Sequence, residues 1–320
     1  MRVLDFERPV LEIEERIKDL ESSLPTNPEV QKEIESLKEQ AEKLRKKIYS
    51  NLTRWHRVQI ARHPDRPHAI DHINHLCDDF IELHGDRAFR DDPALIAGIG
   101  ISRGKRIAVL GQEKGRKTEE KIYRNFGMLH PEGYRKAIRV MDIAAKFGLP
   151  LVSFVDTPGA YPGVGAEERG QFSAIAYSIK KMLQLPVPTV VTVIGEGGSG
   201  GALGVAVGDT VMAMEFSFYS VISPEGCASI LWRDASQADK AAEALKMTAP
   251  DLLELGVIDR MIPEPEGGAH RDPERAMEAV KNAIHEELDK LSDLSPQTLI
   301  RRRWDKFTRM GFFREEDRID

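Results

Sequence analysis

The sequence predicts an α/β protein with a mostly parallel sheet and helical crossovers, on three observations. The first is the stretch Thr189 to Gly204, TVVTVIGEGGSGGALG. Its β-branched run, Val190 to Ile194, is short enough for a strand buried on both faces. Glycines follow at 195, 197, 198, 200 and 201, and then Ala202 to Ala206, small and apolar, reads as a helix against neighbouring backbone. The second observation is that an earlier stretch has the same form. Pro150 to Val155 is a buried strand, Asp156 to Gly165 a glycine- and proline-rich loop, and Ala166 to Leu183 a helix. Successive strand–loop–helix units imply parallel strands whose loops emerge at one sheet edge, where α/β proteins bind ligands. The third is length: 320 residues can bury a sizeable core, so one large domain plus an appendage is expected.

A net charge of −6, with 31% charged residues, does not suggest a nucleic-acid partner, though local basic clusters remain open to an anionic small molecule. Cys77 and Cys227 form neither a disulfide framework nor a zinc pattern and suit a reducing compartment. No apolar run reaches the ~18–20 residues of a membrane span, and the first residues do not read as a signal peptide. A soluble, cytoplasmic protein without membrane association is the expectation.

Taken in order, residues 9 to about 62 are charged with a thin apolar stripe. Val10, Ile13, Ile17 and Leu20 mark one amphipathic helix; Val30, Ile34, Leu37, Ala41, Leu44, Ile48 and Leu52 mark a second with coiled-coil spacing. The break between them falls at residues 22 to 28. So narrow a stripe must pack on its own domain or on a partner subunit. His68, His72 and His75 share a helical face; without a carboxylate or cysteine at familiar spacing, solvated surface is expected rather than a metal site. Ala94 to Ile101 and Arg106 to Gly111 predict a hairpin about Arg103-Gly104-Lys105. Gly111 to Thr118 misses the phosphate-loop pattern because Arg116 stands where glycine is required. Lys114, Arg116, Lys117, Lys121 and Arg124 nonetheless form a basic patch, either a solvated loop or an anion contact. Pro131 to Phe147 is an amphipathic helix stopped by Gly148. Further strands are expected at 210–214 and 257–262, a strand–turn–helix at 219–232, and helices at 235–247, 250–255 and 274–292. The run Arg301-Arg-Arg-Trp304 has no mechanistic reading.

Three chemistries fit the glycine loops. Gly197-Gly-Ser199-Gly-Gly201 matches the G-x-S-x-G of serine hydrolases, but every histidine lies at or before His130 or at or after His270. Asp156-Thr-Pro-Gly159 matches a GTPase switch loop, but no phosphate loop accompanies it. The third is oxyanion stabilisation by backbone N–H groups with no side-chain nucleophile, and it needs no catalytic histidine or cysteine cluster. The turn alone would also suit a tight strand-to-helix connection with no ligand.

Several strings together resemble the α subunits of bacterial acetyl-CoA carboxylase carboxyltransferases. They are Lys114-Gly-Arg, Arg124-Asn-Phe-Gly-Met128, Pro131-Glu-Gly-Tyr-Arg-Lys136, the run from Asp156 to Gly170, Gly195 to Ala202, and Ser223 to Trp232. Leu4-Asp-Phe-Glu7, Ala61-Arg-His-Pro64 and Ile262-Pro-Glu-Pro265 extend the likeness along the chain. The resemblance implies a crotonase-like fold, a spiral of ββα units, with a helical-hairpin appendage (1–62), a carboxyltransferase domain (63–295) and a C-terminal tail (296–320).

It also implies a reaction, the first committed step of fatty acid biosynthesis. The carboxyl group of carboxybiotin, on the biotin carboxyl carrier protein, passes to acetyl-CoA and gives malonyl-CoA. Two oxyanions develop, one on the biotin ureido oxygen and one on the thioester, with a hole for each in the α and β subunits. By resemblance the N–H groups of Gly200 and Gly201 form the α-side hole, with Gly163 and Val164 as partner donors and Gly197 and Gly198 against the substrate. Arg169 is expected on a carboxylate or phosphate, or in an ion pair with Glu167 or Glu168. Lys114, Arg116, Lys117 and Arg124 are expected on coenzyme A or the β subunit. Zinc belongs to the β subunit, so no metal is expected in this chain. The implied assembly is an α2β2 heterotetramer, working with biotin carboxylase in an ATP-dependent complex. A serine peptidase of the related spiral fold, with Ser199 as nucleophile, is the alternative.

Overall fold

The computed structural model describes residues 3–23 and 27–311. The midpoint of the first helical break and the acidic end of the chain therefore lie outside the described residues. Helices α1 (Arg8–Ser23) and α2 (Pro28–Tyr49) form the expected hairpin, burying Val10, Ile17, Ile34 and Ala41. Its base is fastened to the chain's own later loop. The Tyr49 hydroxyl sits within hydrogen-bond reach of two acceptors, Glu7 at 2.7 Å and the Gly267 carbonyl at 2.9 Å, and Arg271 pairs with Glu14 at 3.0 Å.

Two short helices follow, α3 (Arg54–Ala61) and α4 (Ala69–Leu76). Here the surface expectation for the histidines fails. His68 sits buried at the start of α4 with Nδ1 2.9 Å from Glu113, and His72 is buried and stacked on Phe154. Only His75 reaches outward, to Glu278. The apolar neighbours Ala69, Ile73 and Leu76 press that helix face onto the sheet. Among the described residues no group of three or more His, Cys, Asp or Glu is arranged to hold a metal ion.

The sheet begins with β1 (Asp79–Glu82), β2 (Leu95–Ser102) and β3 (Lys105–Gln112), all antiparallel neighbours. Arg103 and Gly104 form the two-residue turn with φ of 49° and 72°, the left-handed pair that matches strand twist in a tight hairpin. After α5 (Thr118–Tyr123) and α6 (Pro131–Phe147), β4 (Leu151–Thr157) adds in parallel to β3. The single helix expected at 166–183 is two, α7 (Val164–Glu168) and α8 (Gln171–Leu183), because Gly170 takes φ 79° between them.

β5 (Thr189–Gly198) then lies beside β4, parallel as expected. Val191 and Val193 point to a layer containing α6, while Val190 and Ile194 point to one containing α4 and α13 (Pro273–Ser292). Burial on both faces is what the unbroken β-branched run demanded. The far edge of β5 is shared. β6 (Thr210–Met214), which follows α9 (Ser199–Leu203), pairs with residues 190–193, and β7 (Phe218–Ser220) pairs with 196–198.

Helices α10 (Pro224–Trp232), α11 (Ala238–Leu245) and α12 (Ala249–Glu254) lead to β8 (Arg260–Ile262), which pairs with β6. After α13, the stretch assigned to a tail folds from Pro296 to Thr308 as α14. The reason is Arg303, 1% exposed: its guanidinium reaches Asp209 at 2.6 Å and the carbonyls of Leu185 and Val187 at 2.9 and 3.1 Å.

Candidate active site

The glycines after Ile194 do not all form a loop. β5 continues through Gly195, Gly197 and Gly198, because its neighbours come too close for any side chain. A Cβ on Gly195 would lie 2.4 Å from the Asp156 carboxylate, one on Gly197 2.8 Å from the Tyr219 ring, and one on Gly198 2.1 Å from the Pro158 carbonyl oxygen. Ser199, at φ 52°, then swings the chain into α9. Gly200 and Gly201 occupy the first turn of that helix, where N–H groups have no intrahelical acceptor. Neither N–H is spent on a hydrogen bond to another part of the described chain.

That turn is held from behind. The Gly201 carbonyl accepts from Gln112 Nε2 at 2.8 Å and from the Tyr134 hydroxyl at 3.2 Å, both donors buried. In front lies the loop after β4: a Cβ on Gly201 would stand 2.2 Å from the Gly159 carbonyl carbon and 2.3 Å from the Ala160 nitrogen. The two loops therefore meet at one end of the sheet, with backbone against backbone. They touch through Pro158, Gly159 and Ala160. Gly163 and Val164 stand farther along, where Gly163 precedes the first turn of α7 and Val164 is 75% exposed. Their N–H groups likewise donate to nothing else in the described chain.

Beneath the turn is a chain of buried and half-buried charges. Lys114 Nζ lies 2.8 Å from Asp156 and 2.6 Å from Glu196; Arg62 lies 2.8 Å from Glu196 and 2.7 Å from Glu225. Burial would lower the Lys114 ammonium, but Asp156 and Glu196 outweigh it and raise it above its ordinary value. Burial likewise pushes Glu196 up, and Lys114 and Arg62 hold it below the usual carboxylate range. The network fastens the ends of β4 and β5 to α3 and α10.

The basic patch thus separates into parts. Lys114, whose side chain is 17% exposed, is drawn inward between Asp156 and Glu196. Arg116 pairs with Asp71; Arg124 pairs with Glu120 and donates to the Pro93 carbonyl; Lys117 is exposed. Arg169 pairs with the buried Glu132 rather than with Glu167 or Glu168, and its guanidinium lies 4.7 Å from the Phe89 ring centroid. Sequence reasoning missed Gln112, Tyr134, Glu196 and Arg62. Glu196 alone left a signal, an ionisable residue two positions past a strand expected to be buried, which would require a cation if the turn were buried too.

Ser199 is exposed, and its hydroxyl bonds to no histidine, lysine or carboxylate among the described residues. A nucleophile needs its base within hydrogen-bond reach, so the arrangement does not favour a serine hydrolase. Beside Ser199 and Gly200 opens a mostly apolar cavity of about 470 Å³.

Comparison with known proteins agrees with this arrangement. The family model described as acetyl co-enzyme A carboxylase carboxyltransferase-like matches residues 3–311. The acetyl-coenzyme A carboxylase carboxyl transferase subunit alpha of a Thermus thermophilus strain is 55% identical over 98% of this chain and 99% of its own length. That of Geobacter metallireducens is 52% identical over 98% of each. Among solved structures, transcarboxylase 12S superposes with a TM-score of 0.59 at 18% identity, over 73% of this chain and 44% of its own. The beta subunit of Pseudomonas aeruginosa geranyl-CoA carboxylase gives 0.57 at 14%, over 78% and 46%. At such identities these two speak for the fold alone, and that fold is the crotonase-like one. With its sequence matched almost end to end and its two glycine loops meeting at one sheet edge, the chain belongs to the acetyl co-enzyme A carboxylase carboxyltransferase family, among its alpha subunits.

Proposed function

We propose that this carboxyltransferase alpha subunit supplies one oxyanion site of the reaction, with the peptide N–H groups of Gly200 and Gly201 as donors. The observation that carries the proposal is a pair of first-turn amides without acceptors, on a turn pinned between Gln112, Tyr134 and the Gly159–Ala160 backbone. Biotin, brought in on a carrier protein, supplies the carboxyl group and an oxygen that gains negative charge as that group leaves. The residues present fit it: amides for the oxygen, and an apolar cavity beside them. Donors fixed before the reaction need no reorganisation when charge appears, and each is typically worth ~2.7–4 kcal/mol in the transition state. The paired Asp156 and Glu196 leave no uncompensated carboxylate in the network beneath the turn. Gly163 and Val164 are proposed as a second pair of donors, brought in with the loop that already touches Gly201.

The acceptor is acetyl-CoA and the product malonyl-CoA, as the relatives' name implies. The oxyanion on the thioester is assigned to a zinc-binding β partner in an α2β2 assembly. Exposed apolar side chains at Val164, Phe172, Leu203 and Val221, on or beside the elements that carry the site, support a face covered by another chain. The test is malonyl-CoA formation by the purified chain with and without the β subunit. Activity is expected only from the mixture, and Ser199→Ala should stay within about threefold of the parent; loss of a nucleophile would instead cost several orders of magnitude. Turnover by this chain alone would contradict the shared site.

A further inference from the structure

The two loops that meet at Gly201 are tied together by a stretch that neither glycine motif contains. It is the start of α6 and the residues just before it, where Leu129, Glu132 and Tyr134 are fully buried. Tyr134 serves one loop, as a donor to the Gly201 carbonyl. Its neighbours serve the other. The Leu129 carbonyl accepts from the Tyr161 N–H at 3.0 Å and from Gln171 Nε2 at 2.7 Å, and the His130 ring stacks on that of Tyr161 with centroids 4.0 Å apart. The Tyr161 ring in turn covers Gly163, where a Cβ would lie 2.4 Å from it. Glu132 adds an ionic tie. Its Oε1 accepts from Nε of Arg169, the residue directly after α7. The guanidinium folds back over that helix, and a Cβ on Gly165 would stand 3.1 Å from it.

Glu132 leans on Arg169 more than on any other group. Arg90 and Arg135 stand off at 4.0 Å, and the second carboxylate oxygen has no hydrogen-bond partner among the described residues. A carboxylate without solvent exposure requires a cation, so Arg169 is held in one place where a solvated side chain would sample many. A buried ion pair is weak evidence for stability, because desolvating both charges offsets most of their attraction. Its effect here is on geometry: it joins the helix that supports Gly201 to the one that follows Gly163. We infer that Glu132 is a positioning residue of the carboxyltransferase reaction, which acts through Arg169 to set the 158–169 segment against the Gly201 turn and touches no substrate itself. The inference rests on the reading of Gly200, Gly201, Gly163 and Val164 as donors, and adds the group that fixes the spacing between the two pairs.

The experiment uses the complex of this chain with its β subunit, run in reverse from malonyl-CoA with biocytin as the carboxyl acceptor. Glu132→Gln, Arg169→Gln and the double variant are compared by denaturant melts and by kcat and KM. Each single change leaves a charge without its partner and is expected to lower stability; the double leaves neither and should recover most of that loss. The rate should not recover with it. All three are expected to lose roughly 10- to 100-fold in kcat, with KM for both substrates within about twofold, because the neutral pair no longer holds the two loops at their spacing. Arg169→Lys keeps a positive charge opposite Glu132 and should regain most of the rate. Where a single variant does not fold, the double and Arg169→Lys carry the test. A double variant with the parent kcat would overturn the inference, leaving an ion pair that serves stability alone. A raised KM for malonyl-CoA in Arg169→Gln but not in Glu132→Gln would overturn it in favour of Arg169 on the substrate itself. The amide site is judged separately: full activity in Gly201→Ala would count against that site whatever these variants do.

Discussion

Gly200 and Gly201 are neighbours with opposite tolerance, which makes them a sharp probe of the turn. A methyl on Gly200 would meet only the Ile175 side chain at 3.8 Å, an ordinary contact, whereas one on Gly201 would drive into Gly159 and Ala160 at 2.2 and 2.3 Å. Both variants keep their N–H groups. Gly200→Ala is therefore expected to retain activity within about tenfold, while Gly201→Ala displaces the loops and loses roughly 10²-fold or more, the scale of a lost oxyanion donor. Steady-state rates of the reconstituted complex, with circular dichroism to confirm folding, check the pair. The glycines were legible because their spacing is local. Their supports were not: Gln112 and Tyr134 are 89 and 67 residues from Gly201, and the Glu196 partners Arg62 and Lys114 are 134 and 82 residues away. A sequence shows that Glu196 needs a cation only if the turn that carries it is buried. It does not show that Lys114, which reads as part of an exposed basic patch, is the one that folds inward.

At the scale of elements, the buried carboxylate of Glu7 is one of the groups that tie down the N-terminal hairpin. Burial pushes Glu7 up, but His270 at 3.7 Å, the Tyr49 hydroxyl and Arg271 overcome it and hold it at about 2, against 4.5 when free. A folded-state value below the unfolded one adds stability in full above about 4.5 and loses it as pH falls toward about 2. Glu7→Gln should thus lower stability by about 1–3 kcal/mol at pH 7, and the gap to the parent should narrow as pH is taken from about 5 down toward about 2. Denaturant melts of both proteins across that range measure it; a gap independent of pH would mean that the charge of Glu7 is not the fastening. The hairpin itself was visible in its apolar stripe, since periodicity is a property of each helix. Where the hairpin is fastened was not, because the 266–272 loop that takes its polar contacts lies more than two hundred residues away. The C-terminal helix was hidden for a related reason. Arg301-Arg-Arg-Trp304 reads as solvated charge, and only Asp209, 94 residues earlier, makes Arg303 an interior residue.

The whole molecule is one mixed sheet wrapped by helices, with its two glycine loops gathered at a single end. Parallel strands carrying glycine loops to that end were readable, because β4 and β5 repeat one strand–loop–helix pattern. The shared edge of β5, with β6 on one half and β7 on the other, was not, since it depends on which backbone approaches Gly197 and Gly198. The account's central claim is that an oxygen bearing transient charge is held by two peptide amides rather than by any side chain. A crystal structure of this chain with its β subunit and biotin tests it most directly. The account predicts the ureido oxygen within about 2.7–3.1 Å of the Gly200 and Gly201 nitrogens. It would be contradicted by that oxygen bound to a side chain, or resting against another surface with both amides facing solvent.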